Sequence, residues 1–381
     1  MRQKVFDVKC KGLHLCQQNF ILHHLLSRNS DKKAEKETGA ILMTIMDIIS
    51  VARRAGVSTA TVSRVLNSSN KVREATAARV REAIRDLQYV PNTSARSLRS
   101  GKTNLYGLLV SDIRNPFFPD LIEQFESLAT QHGIDVTFIN TGYSEERLLA
   151  GVRRLLERNV DGLAVLTSEV SVSAVEMIRE SGSPVVFLNQ PSVTGDFRNI
   201  TIDYVRGFRD AVEHLRMLGH KRIGFVAGPP TLSSAVRRRK AFLAAMKACG
   251  LSAYEKWIFE GDHKIAGGQF AAERILSMVD PPTAVVCSND LTAIGLLQTA
   301  NRMGRNIPKE LSLVGFDDLF LCEIVNPALT TLHLSRQDIA TRAFFALQAI
   351  REQSNSPQTS VILPRLVIRA STGPCPIQSV E

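Results

Sequence analysis

Within ARRAGVSTATVSRVL (52–66), hydroxyls and one guanidinium stand close together at Ser58, Thr59, Thr61, Ser63 and Arg64. The chemistry open to such a set is hydrogen bonding to the phosphate oxygens and base edges of a nucleic acid. If the stretch forms two short helices meeting at a corner, Thr59, Ala60, Ser63 and Arg64 point outward as a DNA-reading face.

The spacing of the other residues supplies that corner. Ala52 lies on the inner face of a first helix, where a second helix can approach closely. Gly56 falls where the turn needs φ > 0, which glycine adopts without a Cβ clash. Ser58 is placed to cap the second helix, its hydroxyl accepting from an orphan N–H. Val62 and Val65, three apart, face back to the first helix. REATAARVREAIRDLQYVP (73–91) then gives a third helix with Val80, Ile84 and Leu87 on one face. PNTSARSLRSGKT (91–103) follows as a short, basic, serine-rich link carrying one isolated leucine, Leu98.

Charge locates the partner. The chain has 381 residues and a formal net charge of +10. Residues 43–103 hold eleven Lys and Arg against four Asp and Glu, and residues 1–42 hold eight against four. The rest is within one charge of neutral, so the basic excess sits where a polyanion would be gripped. The six cysteines, Cys10, Cys16, Cys249, Cys287, Cys322 and Cys375, show no repeating spacing. They read as free thiols in a reducing compartment. Cys10, Cys16, His23 and His24 match no standard zinc-ligand spacing, so neither metal nor cofactor is expected. No apolar run reaches the ~18 residues of a membrane span. FILHHLLSR (20–28) is too short for a signal peptide's apolar region, and a cytoplasmic protein is expected. Residues 1–42 read as a disordered tail or an artefact of start-site choice, because Met43 stands directly before the first patterned helix.

From residue 104 onward the pattern changes. Short apolar runs (LYGLLVSD, DVTFINT, GLAVLT, PVVFLN, RIGFVAG, AVVCSN, LSLVGFDD) alternate with amphipathic helices such as PDLIEQFESLATQHG, VRGFRDAVEHLRMLG and LTAIGLLQTANRMG. Phe208, Val212, Leu215 and Leu218 mark one helix face. Near-continuous apolar strands between helices mean buried parallel sheets. About ten strands is too many for one compact sheet of this kind, so two lobes are expected. Ligands of such folds sit beyond the C-terminal strand ends. There the sequence places residues 112–118, Asn189–Gln190, residues 228–238, Asn289–Asp290 and Asp317–Asp318. Phosphate-cradling, nucleophile-elbow, dinucleotide and metalloprotease motifs are all missing, so the chain does not read as an enzyme. Asp290 and Asp203 could each simply cap the helix that follows.

The residues resemble the lactose/galactose repressor (LacI/GalR) family of bacterial transcription regulators, from about Met43 to Thr372. SVARRAGVSTATVSRVLN resembles its helix-turn-helix signature, YVPNTSARSLRSGKT its hinge and LLVSDIRNPFFPDL its first core strand and helix. LVGFDD followed by PALTTL resembles its late-domain signature, and PRLVIRAST its last strand. The resemblance implies an all-α helix-turn-helix domain (43–90), a hinge (91–103) and an α/β two-lobed effector domain with parallel sheets and the periplasmic-binding-protein fold (104–381). It implies a repressor that binds a palindromic DNA operator as a homodimer, under control of a small-molecule effector held between the lobes.

Carried onto this chain, the resemblance turns Thr59, Ala60 and Arg64 toward bases. Arg64 can bond a guanine's O6 and N7 together, Thr59 can donate or accept, and Ala60 offers only a methyl surface. Thr61 and Ser63 suit phosphates better, and Ser58, Asn67 and Asn92 join the DNA contacts. The hinge, with Ala95, Arg96 and Leu98, would become helical on DNA, and Leu98 would wedge open a central minor-groove step. Phe117 and Phe118 would lie against a ligand ring, with Arg238 and Asp317 as polar anchors and Asn115, Asn189, Asn289 and Asp290 around them. Sugar-binding members usually follow the fourth strand with an acidic or amide residue and then arginine. Here it reads Asn189–Gln190, so a bidentate donor is lost. A sugar leads, while a nucleobase, an organic acid or no effector stay open. The rival reading, a sugar-binding protein without regulatory role, does not account for the helix-turn-helix.

Overall fold

A computed structural model describes residues 48–66, 71–90, 101–167, 169–190, 197–354 and 357–376. The chain falls into two units. The smaller holds α1 (Ile48–Ala55), α2 (Thr59–Leu66) and α3 (Glu74–Asp86). Val51, Ala52, Ala55, Val62, Val80 and Ala83 form its buried core, with Val65, Ile84 and Leu87 packed against it. Gly56 has φ +64°, and Val57 N–H donates back to the Ala52 carbonyl at 3.0 Å, closing α1. Ser58 Oγ accepts from Thr61 N–H at 3.2 Å, which starts α2. The corner stands as the sequence places it.

The larger unit contains β1 (Leu105–Val110), α4 (Phe117–Gln131), β2 (Asp135–Asn140), α5 (Glu145–Glu157), β3 (Gly162–Leu166), α6 (Val172–Ser181), β4 (Val185–Leu188) and β5 (Arg198–Ile202). Next come α7 (Tyr204–Met217), β6 (Ile223–Val226), α8 (Ser233–Ala248), β7 (Ile258–Phe259), α9 (Ile265–Leu276), β8 (Ala284–Cys287), α10 (Asp290–Arg302) and β9 (Ser312–Asp317). Last are α11 (Leu321–Ile324), β10 (Thr330–His333), α12 (Arg336–Arg351), β11 (Thr359–Ile362) and β12 (Arg365–Val367).

Two six-stranded sheets result, β11-β5-β4-β3-β1-β2 in lobe one and β12-β10-β9-β8-β6-β7 in lobe two. All paired strands are parallel except β10 with β12. The chain crosses between lobes after β5, after β10 and again after β11. Alternation along β1 and β3 explains the continuous apolar runs. Leu108, Val110, Ala164 and Leu166 feed one core, while Leu109, Leu163 and Val165 feed another on the opposite face. All seven of the short apolar runs are strands and all three of the amphipathic stretches are helices. Among the described residues the two sheets hold twelve strands, more than the expected ten or so, because β5 and β11 are partly exposed and β7 and β12 very short. No described helix is long and apolar enough to cross a membrane.

Candidate functional site

The C-terminal strand ends of both sheets of the larger unit converge on one cavity of about 60 Å³. Lobe one supplies Ser111 and Asn115 after β1, Phe117 and Phe118 opening α4, Tyr143 after β2, and Thr167 after β3. Lobe two supplies Ser234 and Arg238 from α8, His263 after β7, Asn289 after β8 and Asp317 ending β9. Phe117 and Phe118 meet edge to face, centroids 5.4 Å apart. Asn115 Oδ1 accepts from Phe117 N–H at 3.1 Å and so orients the start of α4.

Arg238 and Asp317 are the charged centre. The Arg238 guanidinium donates to Asp317 Oδ1 at 2.9 Å and to the Ser288 carbonyl, and lies 4.2 Å from the Phe316 ring centroid. Both side chains are buried. Burial pushes the Asp317 carboxyl above the usual range, although Arg238 and Arg336 pull it back, and Arg238 stays a cation. The Asp317 backbone has φ +112° and Asp318 +57°, a turn held by Arg336, which donates to both carbonyls at 2.7 and 3.0 Å. Among the described residues, the buried Arg238 Nε at the cavity wall has no hydrogen-bond partner, nor does Asn189 Nδ2 at the end of β4. Each such orphan costs about 1–3 kcal/mol.

His263, at φ +60°, bonds Ser288 Oγ through Nε2 at 2.5 Å. Gly228 packs so closely on its ring that a Cβ there would overlap it. Burial, with the Arg238 charge nearby, pushes His263 down from 6.5 to about 3. The unfolded chain therefore binds an extra proton between those values. Stability from this group is complete above pH 6.5 and lost as pH falls toward 3. His263→Asn is expected to remove roughly 2 kcal/mol of the stability lost between about pH 7 and pH 5. Asparagine tolerates the positive φ. Thermal melts of both proteins across that range check this, and parallel pH curves would reject it.

Six of the eight expected effector residues, Asn115, Phe117, Phe118, Arg238, Asn289 and Asp317, line the cavity. Asn189 and Asp290 are not among its lining residues. Asn189 (φ +59°) is buried at the end of β4 with Oδ1 3.4 Å from Ile202 N. Asp290 is fully buried and accepts from Leu319 N–H at 2.8 Å and Thr331 Oγ1 at 2.5 Å. Burial, then the Asp317 charge, pushes it up to about 7. Nor does Asp290 cap α10. Asn289 does, its Oδ1 accepting from Thr292 N–H at 3.0 Å. Asp203 does cap α7, accepting from Arg206 N–H at 2.9 Å. Ser111, Tyr143, Thr167, Tyr204 and His263 also line the cavity and are not among the residues singled out from the sequence. Tyr143 and Tyr204 lie just past strand ends, which was signal enough. His263 follows the two-residue β7, which leaves almost no trace in the sequence.

In the smaller unit, α2 presents Thr59, Ala60 and Arg64 to solvent, with Ser58 exposed just before it and Thr61 and Ser63 half-buried. Val62, on the opposite side, is fully buried. Thr61 Oγ1 lies 3.0 Å from Ser58 Oγ, so part of its hydrogen-bonding capacity is already used. Asn67, Asn92, Ala95, Arg96 and Leu98 lie outside the described residues, as do residues 1–42 with Cys10, Cys16, His23 and His24.

Residues 29–92 match the family described as bacterial regulatory proteins, lacI family, and residues 212–372 a periplasmic binding protein-like domain. The chain is 33% identical to the HTH-type transcriptional repressor PurR of Vibrio vulnificus over 86% of its own length and 98% of that protein. It is 31% identical to the HTH-type transcriptional repressor CytR of Escherichia coli over 90% of this chain and 100% of the relative. Among solved structures, the lac repressor dimer bound to operator and the anti-inducer ONPF superposes with a TM-score of 0.78 at 26% identity, covering 86% of this chain and 99% of that one. The transcriptional regulator CelR in complex with cellobiose superposes with a TM-score of 0.63 at 27% identity, with the same coverage.

Proposed function

Because the chain belongs to the lacI family of bacterial regulatory proteins and is a DNA-binding transcriptional repressor, we propose that it binds a palindromic operator as a homodimer, in the cytoplasm, and that an uncharged sugar or sugar derivative in the interlobe cavity controls that binding. In this reading residues 43–90 read DNA, 91–103 are the hinge, and 104–381 bind effector and dimerise. Thr59, Ala60 and Arg64 contact bases. Ser58, Thr61, Ser63, Asn67 and Asn92 position the helix, and Ala95, Arg96 and Leu98 form the hinge contacts.

One observation carries the effector reading: the buried Arg238 Nε has no hydrogen-bond partner at a cavity wall. A ligand hydroxyl or carbonyl restores that bond. The charge of Arg238 is already met by Asp317 and His263 is neutral, which favours an uncharged ligand over an organic acid. Phe117 and Phe118 offer apolar faces to a ring, as sugars and flat heterocycles both use. The sugar is preferred on the likeness to CelR, whose solved complex holds cellobiose.

The test is a genome-wide map of bound sites followed by operator titration with and without uncharged sugars and nucleosides. A tenfold or larger change in operator affinity by one of them is expected, and no change with any would overturn the effector reading. The operator arm is salt-sensitive. With several phosphates neutralised by each module, raising salt from about 50 to 200 mM is expected to cost ~10³-fold or more in affinity. A flat response, or tight binding to a single half-site, would overturn the dimeric operator.

A further inference from the structure

The helix that carries Ser234 and Arg238 has no cap of its own. Leu232 stands at the N-cap of α8 and offers no side-chain hydrogen bond, leaving the first N–H groups of a long helix to find acceptors elsewhere. They find them on the opposite lobe. Glu169, just past β3, takes Ser233 N–H on Oε2 at 2.8 Å. Its Oε1 accepts from Ser234 N–H at 3.1 Å and from Ser234 Oγ at 3.0 Å. A carboxylate at a helix amino end also meets the positive end of the helix dipole.

Two further contacts fix this arrangement. Glu169 N–H donates to Thr167 Oγ1 at 3.2 Å, and Thr167 Oγ1 accepts from Ser111 Oγ at 2.8 Å, so the glutamate is anchored to the lobe-one wall of the cavity. One turn along α8, the Arg237 guanidinium donates to the Asn189 carbonyl, again across the lobes. The cavity beneath measures about 60 Å³, well under the ~300 Å³ at which ligand pockets begin. Admitting a ring therefore requires the walls to part, and α8 is one of those walls.

We infer that Glu169 is a positioning residue, a clasp from lobe one that sets α8, and with it Ser234 and Arg238, against the facing wall and holds the cleft closed. Its consequence for ligand exchange rests on the cavity being the effector site. The clasp itself does not. Opening releases the Glu169 bonds and leaves the amino end of α8 uncapped.

The experiment measures the interlobe distance in the full chain by pulsed spin-label spectroscopy. Labels go at Val172 on α6 and Ile265 on α9, with the other accessible cysteines replaced by serine. Glu169→Ala is expected to move at least about half of the population to a longer distance. Glu169→Gln keeps an acceptor in place and is expected to restore most of the closed population. Loss of a cap alone would lower the melting temperature without changing this distance. Equal distance distributions in all three proteins would overturn the clasp, as would a Glu169→Gln distribution no more closed than that of Glu169→Ala. The effector reading is tested separately. Should no small molecule shift operator affinity while Glu169→Ala still opens the lobes, that reading fails and the clasp stands.

Discussion

Asp317→Ala is expected to destabilise the larger unit by about 3–5 kcal/mol, because it leaves the Arg238 cation buried without its carboxylate. The Ser288 carbonyl and the Phe316 ring remain against the guanidinium, but neither carries a full negative charge. The turn at Asp317–Asp318 keeps its other ties, to Arg336 and through Leu319 N–H to Asp290, while alanine at φ +112° adds backbone strain to the loss of the pair. The same substitution removes one of the two polar anchors proposed for the effector. Operator affinity without effector is expected to stay close to that of the unsubstituted chain at temperatures well below melting, and the response to effector to vanish. Denaturant unfolding and operator titration check the two halves independently. A stability loss under about 1 kcal/mol would mean that the pair does not hold the cleft together as a buried charged centre.

Arg64→Ala should separate reading from gripping. Arg64 is exposed on α2 while Val62 behind it is buried, so truncating the arginine leaves the helix-turn-helix core untouched. A bidentate arginine–guanine contact discriminates by ~1–3 kcal/mol, and a dimer makes it twice, so specific operator affinity is expected to fall by about 30-fold or more. Binding to unrelated duplex should fall far less, since it depends on summed charge and not on base edges. The melting temperature of the smaller unit should not move. Equal losses on operator and on random DNA would reassign Arg64 to a phosphate.

How much of this could be read beforehand differs by level. The corner at Gly56 and the cap at Ser58 follow from local chemistry, and both stand where the spacing puts them. The parallel sheets were legible because strands covered on both faces are apolar throughout. β5 and β11, paired with each other in lobe one, carry no such run because they are only partly buried. Within the cleft, residues ending a long apolar run were easy to place. Asp290 and Asn289 show the limit. They are neighbours of similar size, yet Asn289 caps α10 and lines the cavity while Asp290 is buried, accepting from Leu319 N–H and Thr331 Oγ1. The clasp at Glu169 was invisible for another reason: its partners lie 64 and 65 residues along the chain, on a helix whose missing cap is apparent only once its start is known.

The three crossings between lobes set an order of events at the ribosome. Thr201 on β5 bonds the Ser360 carbonyl on β11, a separation of 159 residues, and every strand of lobe two except β12 lies between them. At ~5–20 residues per second, β5 waits roughly 8–30 seconds for its neighbour while most of lobe two is already available to fold. During that interval lobe one presents a newly made sheet edge, the kind of surface to which other nascent chains add. The first-made lobe is thus left open until β11 emerges, only a few residues before β12 completes the other lobe, and the yield of this repressor in a crowded cell will depend on what shields that edge in the meantime.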